Sequence, residues 1–262
     1  MDNEALVPFN ASKPNIARAY DYMLGGKDNF AADRELAARM LEIYPLAGVL
    51  ARENRAFLAR AVEYVSRQGV AQFIDVGSGL PTSPSTHEAA SGVNPSARVV
   101  YVDNDPVVIT HTSALPAAGH SVAAVPGDVR RPDLVLASAE LTEMISLDEP
   151  VCVILAMILH FFEPAQAGDI VARFVRAIAP GSFLIISVGI NNAPGLADRV
   201  TTAYTAGALH VHDRHQIAGY FTGLEVVEPG LTEVRRWRPT RLAAVTPSRP
   251  ADVLGGVGRK TA

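Results

Sequence analysis

The sequence predicts an α/β protein: a mostly parallel sheet of seven strands with its last strand antiparallel, helices on both faces, and a helical cap at the N-terminus. Three observations carry this prediction. From residue 72 onward, short apolar and β-branched runs alternate with helix-sized segments, the pattern of a sheet built from strand-helix units. Most of these runs are apolar at consecutive positions, as in strands covered on both faces. Before residue 70, apolar residues recur at spacings of three and four, the period of a helix.

The elements follow in order. Ile16, Tyr20, Met23 and Leu24 mark a first helix, Leu36, Met40 and Ile43 a second, and Phe57, Leu58, Ala61, Val62 and Val65 a third. Gly25 and Gly26 separate the first two, Pro45 ends the second, and Gly69 stops the third. Strands are expected at 72–76, 98–102, 121–125, 151–156 and 183–188. Between them lie helices near 86–92, 106–115, 133–145 and 165–178, the last opened by Pro164 and stopped by Pro180 and Gly181. Helices near 195–207 and 213–221 follow, the second capped by Asp213. Two more runs, 224–227 and 241–246, are expected to pair as a closing hairpin. The expected organisation is a helical cap over 1–69, a ligand-binding domain over 70–246, and a mobile tail rich in Pro, Gly and Ser over 247–262.

Composition excludes several classes. With 48% hydrophobic and 19% charged residues in 262, the chain is ordinary globular protein rather than disordered. The single cysteine, Cys152, rules out an internal disulfide and any Cys-rich zinc module, is expected in the core, and fits a reducing compartment. A net charge of −4 supplies no field for polyanions, and the one short basic run, RRWRP at 235–239, is expected as a solvated approach to a strand, so no nucleic-acid partner is expected. The N-terminal residues lack the pattern of a secretory signal. The longest apolar run, 151–159, falls short of the ~18 residues a membrane span needs, so the expected location is cytoplasmic with no membrane partner.

The chemistry concentrates at the ends of the first three strands. FIDVGSGLPT, residues 73–82, ends a strand at Asp75 and turns at Gly77 and Gly79, where bare backbone lets a ligand approach. A dinucleotide GxGxxG fingerprint would need a third glycine where Thr82 stands, and no Lys-Ser or Lys-Thr pair follows to make a phosphate loop. VVYVDNDP, residues 99–106, ends the next strand at Asp103, whose carboxylate can accept both hydroxyls of a ribose; Asp105, before Pro106, is placed to cap the following helix. GDVRRPD, residues 127–133, sets Asp128 past the third strand, suited to accept from an exocyclic amine such as that of adenine. Three carboxylates at one sheet edge suit a cationic nucleoside better than a polyphosphate.

This arrangement resembles the class I S-adenosylmethionine-dependent methyltransferases, whose sheet is Rossmann-like. More narrowly, it is similar to an actinobacterial group of S-adenosyl methyltransferases with no settled substrate. The narrower likeness runs from about residue 13 to 246, through PNIARAYDYMLGGKDNF, ENRAFLARAV, QFIDVGSGLPT, VVYVDNDPVV and VEPGLTEVRRWRP. It implies S-adenosylmethionine as cofactor, with Asp75, Gly77 and Gly79 beside its methionine part and Asp103 on its ribose. Asn104 and Val129 would frame the adenine and Asp128 face its amino group. LGGKDNF, with Asp28, would close over the cofactor, and the N-terminal helices would roof the pocket and select the acceptor. The third glycine of the methyltransferase loop is Pro81 here. Arg55, one turn before an apolar helical face, is a further candidate for the cofactor carboxylate or for Asp75.

The function this implies is methyl transfer to an O, N or S nucleophile of a small molecule. A base, where needed, would be His160 or Tyr22. Two alternatives stand beside it: a regulatory or accessory protein that binds the cofactor without turnover, and a nicotinamide-dependent oxidoreductase, which Thr82 opposes. His210, His212 and His215 match no zinc spacing and are expected as a polar helix approach, so no metal is expected.

Overall fold

The computed structural model describes residues 9–115, 121–191, 195–239, 249 and 251–261. Five strands run parallel: β1 (Gln72–Val76), β2 (Arg98–Asp103), β3 (Val122–Pro126), β4 (Cys152–Ala156) and β5 (Phe183–Asn191). Three more complete an eight-stranded sheet: β6 (Glu225–Val226), β7 (Thr232–Glu233) and β8 (Ala251–Arg259). The order is β3-β2-β1-β4-β5-β8-β6, with β7 also paired to β8. Every partner of β8 is antiparallel to it. Because the chain leaves β1 toward β2 on one side and returns to β4 on the other, the sheet reverses its winding there, and a crevice opens beyond the strand ends.

Successive residues of each strand feed opposite cores. Ile74, Val100, Val153 and Leu184 pack with Ile170 and Phe174 of α8 (Pro164–Ala177). Phe73, Val99, Cys152 and Ile185 pack with Phe57, Leu58 and Val62 of α3 (Ala47–Arg67). The third helix is therefore a wall of the sheet, so one core runs across the boundary expected at residue 69. Only α1 (Ile16–Leu24) and α2 (Ala31–Ile43) form a cap, with their own small core of Ala19, Leu36, Ala37 and Tyr204. Asn15 caps α1 by accepting from the Ala17 amide at 2.7 Å, and Gly25, at φ +89°, ends it.

The remaining helices are α4 (Thr86–Ser91), α5 (Pro106–Ser113), α9 (Leu196–Ala203) and α10 (Arg214–Gly219). The single helix expected at 133–145 is two short ones, α6 (Pro132–Leu136) and α7 (Ala139–Met144).

Two further expectations are corrected. The C-terminal segment is not a mobile tail: β8 lies between β5 and β6. Its glycines hid it from a hydrophobic reading, yet the packing requires them. A Cβ on Gly255 would come 2.8 Å from Phe57, and one on Gly258 would come 2.9 Å from Leu224 and Phe221. β6 thus pairs with β8, while the run expected at 241–246 lies outside the described residues. Nor is RRWRP a solvated strand approach. Trp237 is fully buried, edge-on to Phe57 and Tyr64, and Arg60 donates to the carbonyls of Val234 and Trp237 at 2.7 and 2.9 Å. A large apolar ring drove this segment inward, and its charges found acceptors. Among the described residues no helix is long and apolar enough to cross a membrane.

Candidate active site

The loop after β1 is built to bring backbone to a ligand. Gly77 and Gly79 take φ of +68° and +65°, and a Cβ on Gly77 would sit 2.7 Å from Ile158. The amides of Gly77 and Ser78 both donate to the Val102 carbonyl, at 2.8 and 3.2 Å, locking the turn against β2. Beyond Pro81 the Arg55 guanidinium of α3 holds the loop, donating to the carbonyls of Thr82 and Pro84 at 2.9 and 3.0 Å. It makes no bond to Asp75, and its Nε is buried without a hydrogen-bond partner among the described residues.

Each carboxylate has its own surroundings. Asp75 is buried and accepts from Thr86 Oγ1 at 2.6 Å. Burial pushes its pKa up, against the hydrogen bond from Thr86 and the charge of Arg55. Asp103 accepts from the Asp105 amide on Oδ1 and the Gly79 amide on Oδ2, both at 2.9 Å, so the glycine loop and the α5 approach orient it. Each oxygen retains a lone pair. Burial pushes Asp103 up to about 6, those two amides opposing the shift. Asp128 is gripped by Arg130 through both carboxylate oxygens. Burial raises Asp128, but the hydrogen bonds and charge of Arg130 outweigh it and hold the group below its ordinary value.

All three carboxylates line one cavity of about 790 Å³ at the switch point, together with Arg55, Gly77, Gly79, Asn104 and Val129. Its roof comes from the stretch before and within α1, Phe9 to Tyr20. None of LGGKDNF lines it. That loop folds around the buried Asp21, which accepts from the Asp28 amide and Asn29 Nδ2 at 3.0 and 2.9 Å. The Asp28 carboxylate lies 3.5 Å from His111 and does not line the cavity.

A second cavity, of about 210 Å³, abuts the first. His160, in a short 3₁₀ turn (Leu159–Phe161) after β4, lines this one and not the larger. Tyr22 lines neither and is half-exposed; two residues earlier on the same helix, Tyr20 points inward and lines both. Tyr20 donates to the Ala51 carbonyl at 3.0 Å and accepts from Asn54 at 3.2 Å, and burial pushes its pKa up, so it stays a neutral wall. Sequence reasoning missed Tyr20, Met157 and Tyr204, since only the α1 register and the chain's return at α9 bring them here.

Two of the three histidines also find structural partners. The His212 ring bonds the Phe162 carbonyl at 2.9 Å and the Tyr220 hydroxyl at 2.8 Å, and His210 pairs with Glu163 at 3.2 Å. Among the described residues no group of three or more His, Cys, Asp or Glu side chains is gathered as a metal site.

A family model described as S-adenosyl methyltransferase matches residues 2–261. A solved structure of a candidate methyltransferase from Thermobifida fusca YX is 38% identical, with a TM-score of 0.91 over 96% of each chain. A DUF574 family protein from Streptomyces avermitilis MA-4680 is 36% identical, with a TM-score of 0.89 over 95% of this chain and 98% of that one. The N-methyltransferase NodS from Bradyrhizobium japonicum WM9, in complex with S-adenosyl-L-homocysteine, shares the fold at 16% identity and a TM-score of 0.52, over 93% and 98% of the two chains. No curated protein sequence matches.

Proposed function

Since the chain belongs to the S-adenosyl methyltransferase family and S-adenosylmethionine is its cofactor, we propose that the larger cavity holds that cofactor and that the methyl acceptor is a small molecule with an O, N or S nucleophile. When bound, the cofactor supplies a methyl group on a positively charged sulfur. The residues present fit it. Bare backbone at Gly77 and Gly79 admits the methionine part, and the orphaned Arg55 guanidinium Nε suits its carboxylate. Asp103 receives the ribose hydroxyls, and Asp128, Asn104 and Val129 receive the adenine. Asp28 and Tyr22 have no role in this reading.

What the protein itself does is align and enclose. The glycine loop, tied to β2 and to Arg55, fixes one end of the cofactor, and Asp103, held by two amides, fixes the middle. The cap excludes water through Arg18 and Tyr20, with Phe161 of the turn after β4, all of which line the cavity. The free, buried Cys152 is compatible with a cytoplasmic setting.

The single observation that carries this reading is that Asp103 and Asp128, from two different strand ends, open into one cavity beside the glycine turn. Calorimetry tests it: S-adenosylmethionine and S-adenosylhomocysteine are expected to bind with 1:1 stoichiometry and NAD⁺ not to bind, and a preference for NAD⁺ would overturn it. Release of S-adenosylhomocysteine in the presence of a metabolite extract then separates turnover from binding alone.

A pH dependence follows with a definite sign. Because the folded pKa of Asp103 is raised from 3.8 to about 6, its contribution to stability is fully present below about 3.8 and is lost as pH rises through about 6. A ribose prefers the ionised carboxylate, so the affinity for S-adenosylhomocysteine is expected to fall as pH drops through about 6, by up to about tenfold per unit. In Asp103→Asn that slope should vanish. A flat wild-type profile between pH 5 and 7, measured with buffers of matched ionic strength, would contradict the assignment.

A further inference from the structure

Resting on the assignment of the larger cavity to S-adenosylmethionine, we propose that the smaller cavity is the acceptor site. Its substrate is a compact, uncharged, largely apolar molecule methylated on a hydroxyl that hydrogen-bonds to His160.

Continuity is the first argument. Ile16, Tyr20, Met157, Phe161 and Tyr204 line both cavities, so an occupant of the smaller one meets the cofactor across a shared wall. Met157 stands at that junction with φ +54°, a left-handed conformation that a residue of its kind rarely adopts. Such strain is held by surrounding structure and concentrates where a site needs it. Phe161 and Tyr204 stack at 5.8 Å and 21°, giving the junction a flat aromatic side.

The wall chemistry selects the occupant. Most of the lining is aliphatic or aromatic, from α1, α2, β5 and α9. The charged groups on it face opposite charges: Asp252, 1% exposed and without a hydrogen bond to its Oδ2 among the described residues, lies 3.6 Å from Arg235, and His210 lies 3.2 Å from Glu163. A charged acceptor would lose its hydration there with no partner to replace it. A primary amine, protonated in water, is disfavoured on this ground.

Of the polar side chains on the wall, which include Tyr44, Thr201 and Tyr204, His160 is the neutral one that leaves a buried atom without a hydrogen bond among the described residues. His160 is 8% exposed and lines the cavity, and its Nδ1 has no hydrogen-bond partner among the described residues. Burial, with the charge of His212 adding to it, pushes this imidazole down to about 3, so it is neutral and can accept from a hydroxyl. In the transfer, a hydroxyl oxygen lone pair forms the new bond to the methyl carbon. The carbon–sulfur bond breaks with its electron pair left on sulfur, and the hydroxyl proton passes to His160 and on to water. An oxygen carrying both a methyl and a proton is a far stronger acid than even this depressed imidazolium, so the proton transfer runs downhill.

The test uses the whole protein saturated with S-adenosylhomocysteine, titrated with 2-naphthol and with its isostere 2-methylnaphthalene. Wild type is expected to bind 2-naphthol at least about fivefold tighter, one hydrogen bond's worth, and His160→Phe to bind both equally. Val200→Trp and Leu209→Trp, which fill the cavity, should weaken 2-naphthol binding by at least about tenfold while S-adenosylhomocysteine affinity stays within about twofold. Naphthol binding unchanged in both tryptophan variants, no binding by wild type, or no preference over the isostere would overturn the acceptor site while leaving the cofactor assignment intact. If the tryptophan variants do not fold, the His160→Phe comparison decides alone. Wild type that fails to bind S-adenosylhomocysteine would instead overturn the cofactor assignment and this proposal with it.

Discussion

Asp103→Ala is expected to weaken S-adenosylhomocysteine binding by about two to four orders of magnitude with the fold retained. The carboxylate at the end of β2 is oriented by the Gly79 and Asp105 amides, each at 2.9 Å, and keeps one lone pair per oxygen for a ligand. Two charge-assisted hydrogen bonds to vicinal hydroxyls contribute roughly 1.5–3 kcal/mol each. The fold should survive because the raised pKa marks a group whose ionised form is costly when nothing is bound. Alanine removes that cost along with the two amide acceptors. Calorimetry with S-adenosylhomocysteine measures the binding, and a thermal melt checks the fold. An affinity within about threefold of wild type, in a folded variant, would remove the ribose from this position.

Arg18→Met is expected to cost about 3–5 kcal/mol of stability, the usual consequence of leaving a buried charge without its partner. Arg18 is 3% exposed. Its Nε lies 3.1 Å from Asp33 of α2, and its terminal nitrogens lie 3.7 Å from Asp105 and 3.2 Å from the Lys13 carbonyl. The rings of Phe9 and Phe30 flank the guanidinium at 5.6 and 5.3 Å. This one side chain therefore joins the two cap helices to the start of α5, two residues from Asp103. Methionine keeps the volume but takes the countercharge from the fully buried Asp33 carboxylate, which retains only the amides of Asn15 and Phe30, each at 2.8 Å. The melting temperature should fall by on the order of 10 °C. Arg18→Lys should recover only a fraction of this, since an ammonium lacks the flat fork that fits between two rings and two carboxylates. A drop under about 2 °C for methionine would mean that the cap is held by its apolar core alone.

Much of the architecture was legible because strand and helix periods are local properties. β1 was placed to the residue and β2 to β5 to within a few residues, since runs such as Val99–Val102 are apolar on both faces. The carboxylates at 75, 103 and 128 were legible for the same reason, because a strand's end fixes where its last side chain stands. β8 was not, because its glycines carry no hydrophobic signal; they are required by Phe57, Phe221 and Leu224, residues distant from them along the chain. Asp28 was misplaced because the buried Asp21 folds the loop back on itself, a hydrogen-bonding choice that no spacing announces. The rotation of a single helix turned Tyr20 rather than Tyr22 toward both cavities.

The amino-acid order alone therefore determined the sheet's parallel half, the glycine turn and the three acidic strand ends, each a consequence of backbone geometry acting over a few neighbouring residues. Only the tertiary structure decided that Trp237 and β8 belong to the core, that Arg18 fastens the cap, and that His160 lines the smaller of two adjoining cavities. Those outcomes depend on which distant surfaces exclude water from one another, and burial of that kind is a property of the assembled chain.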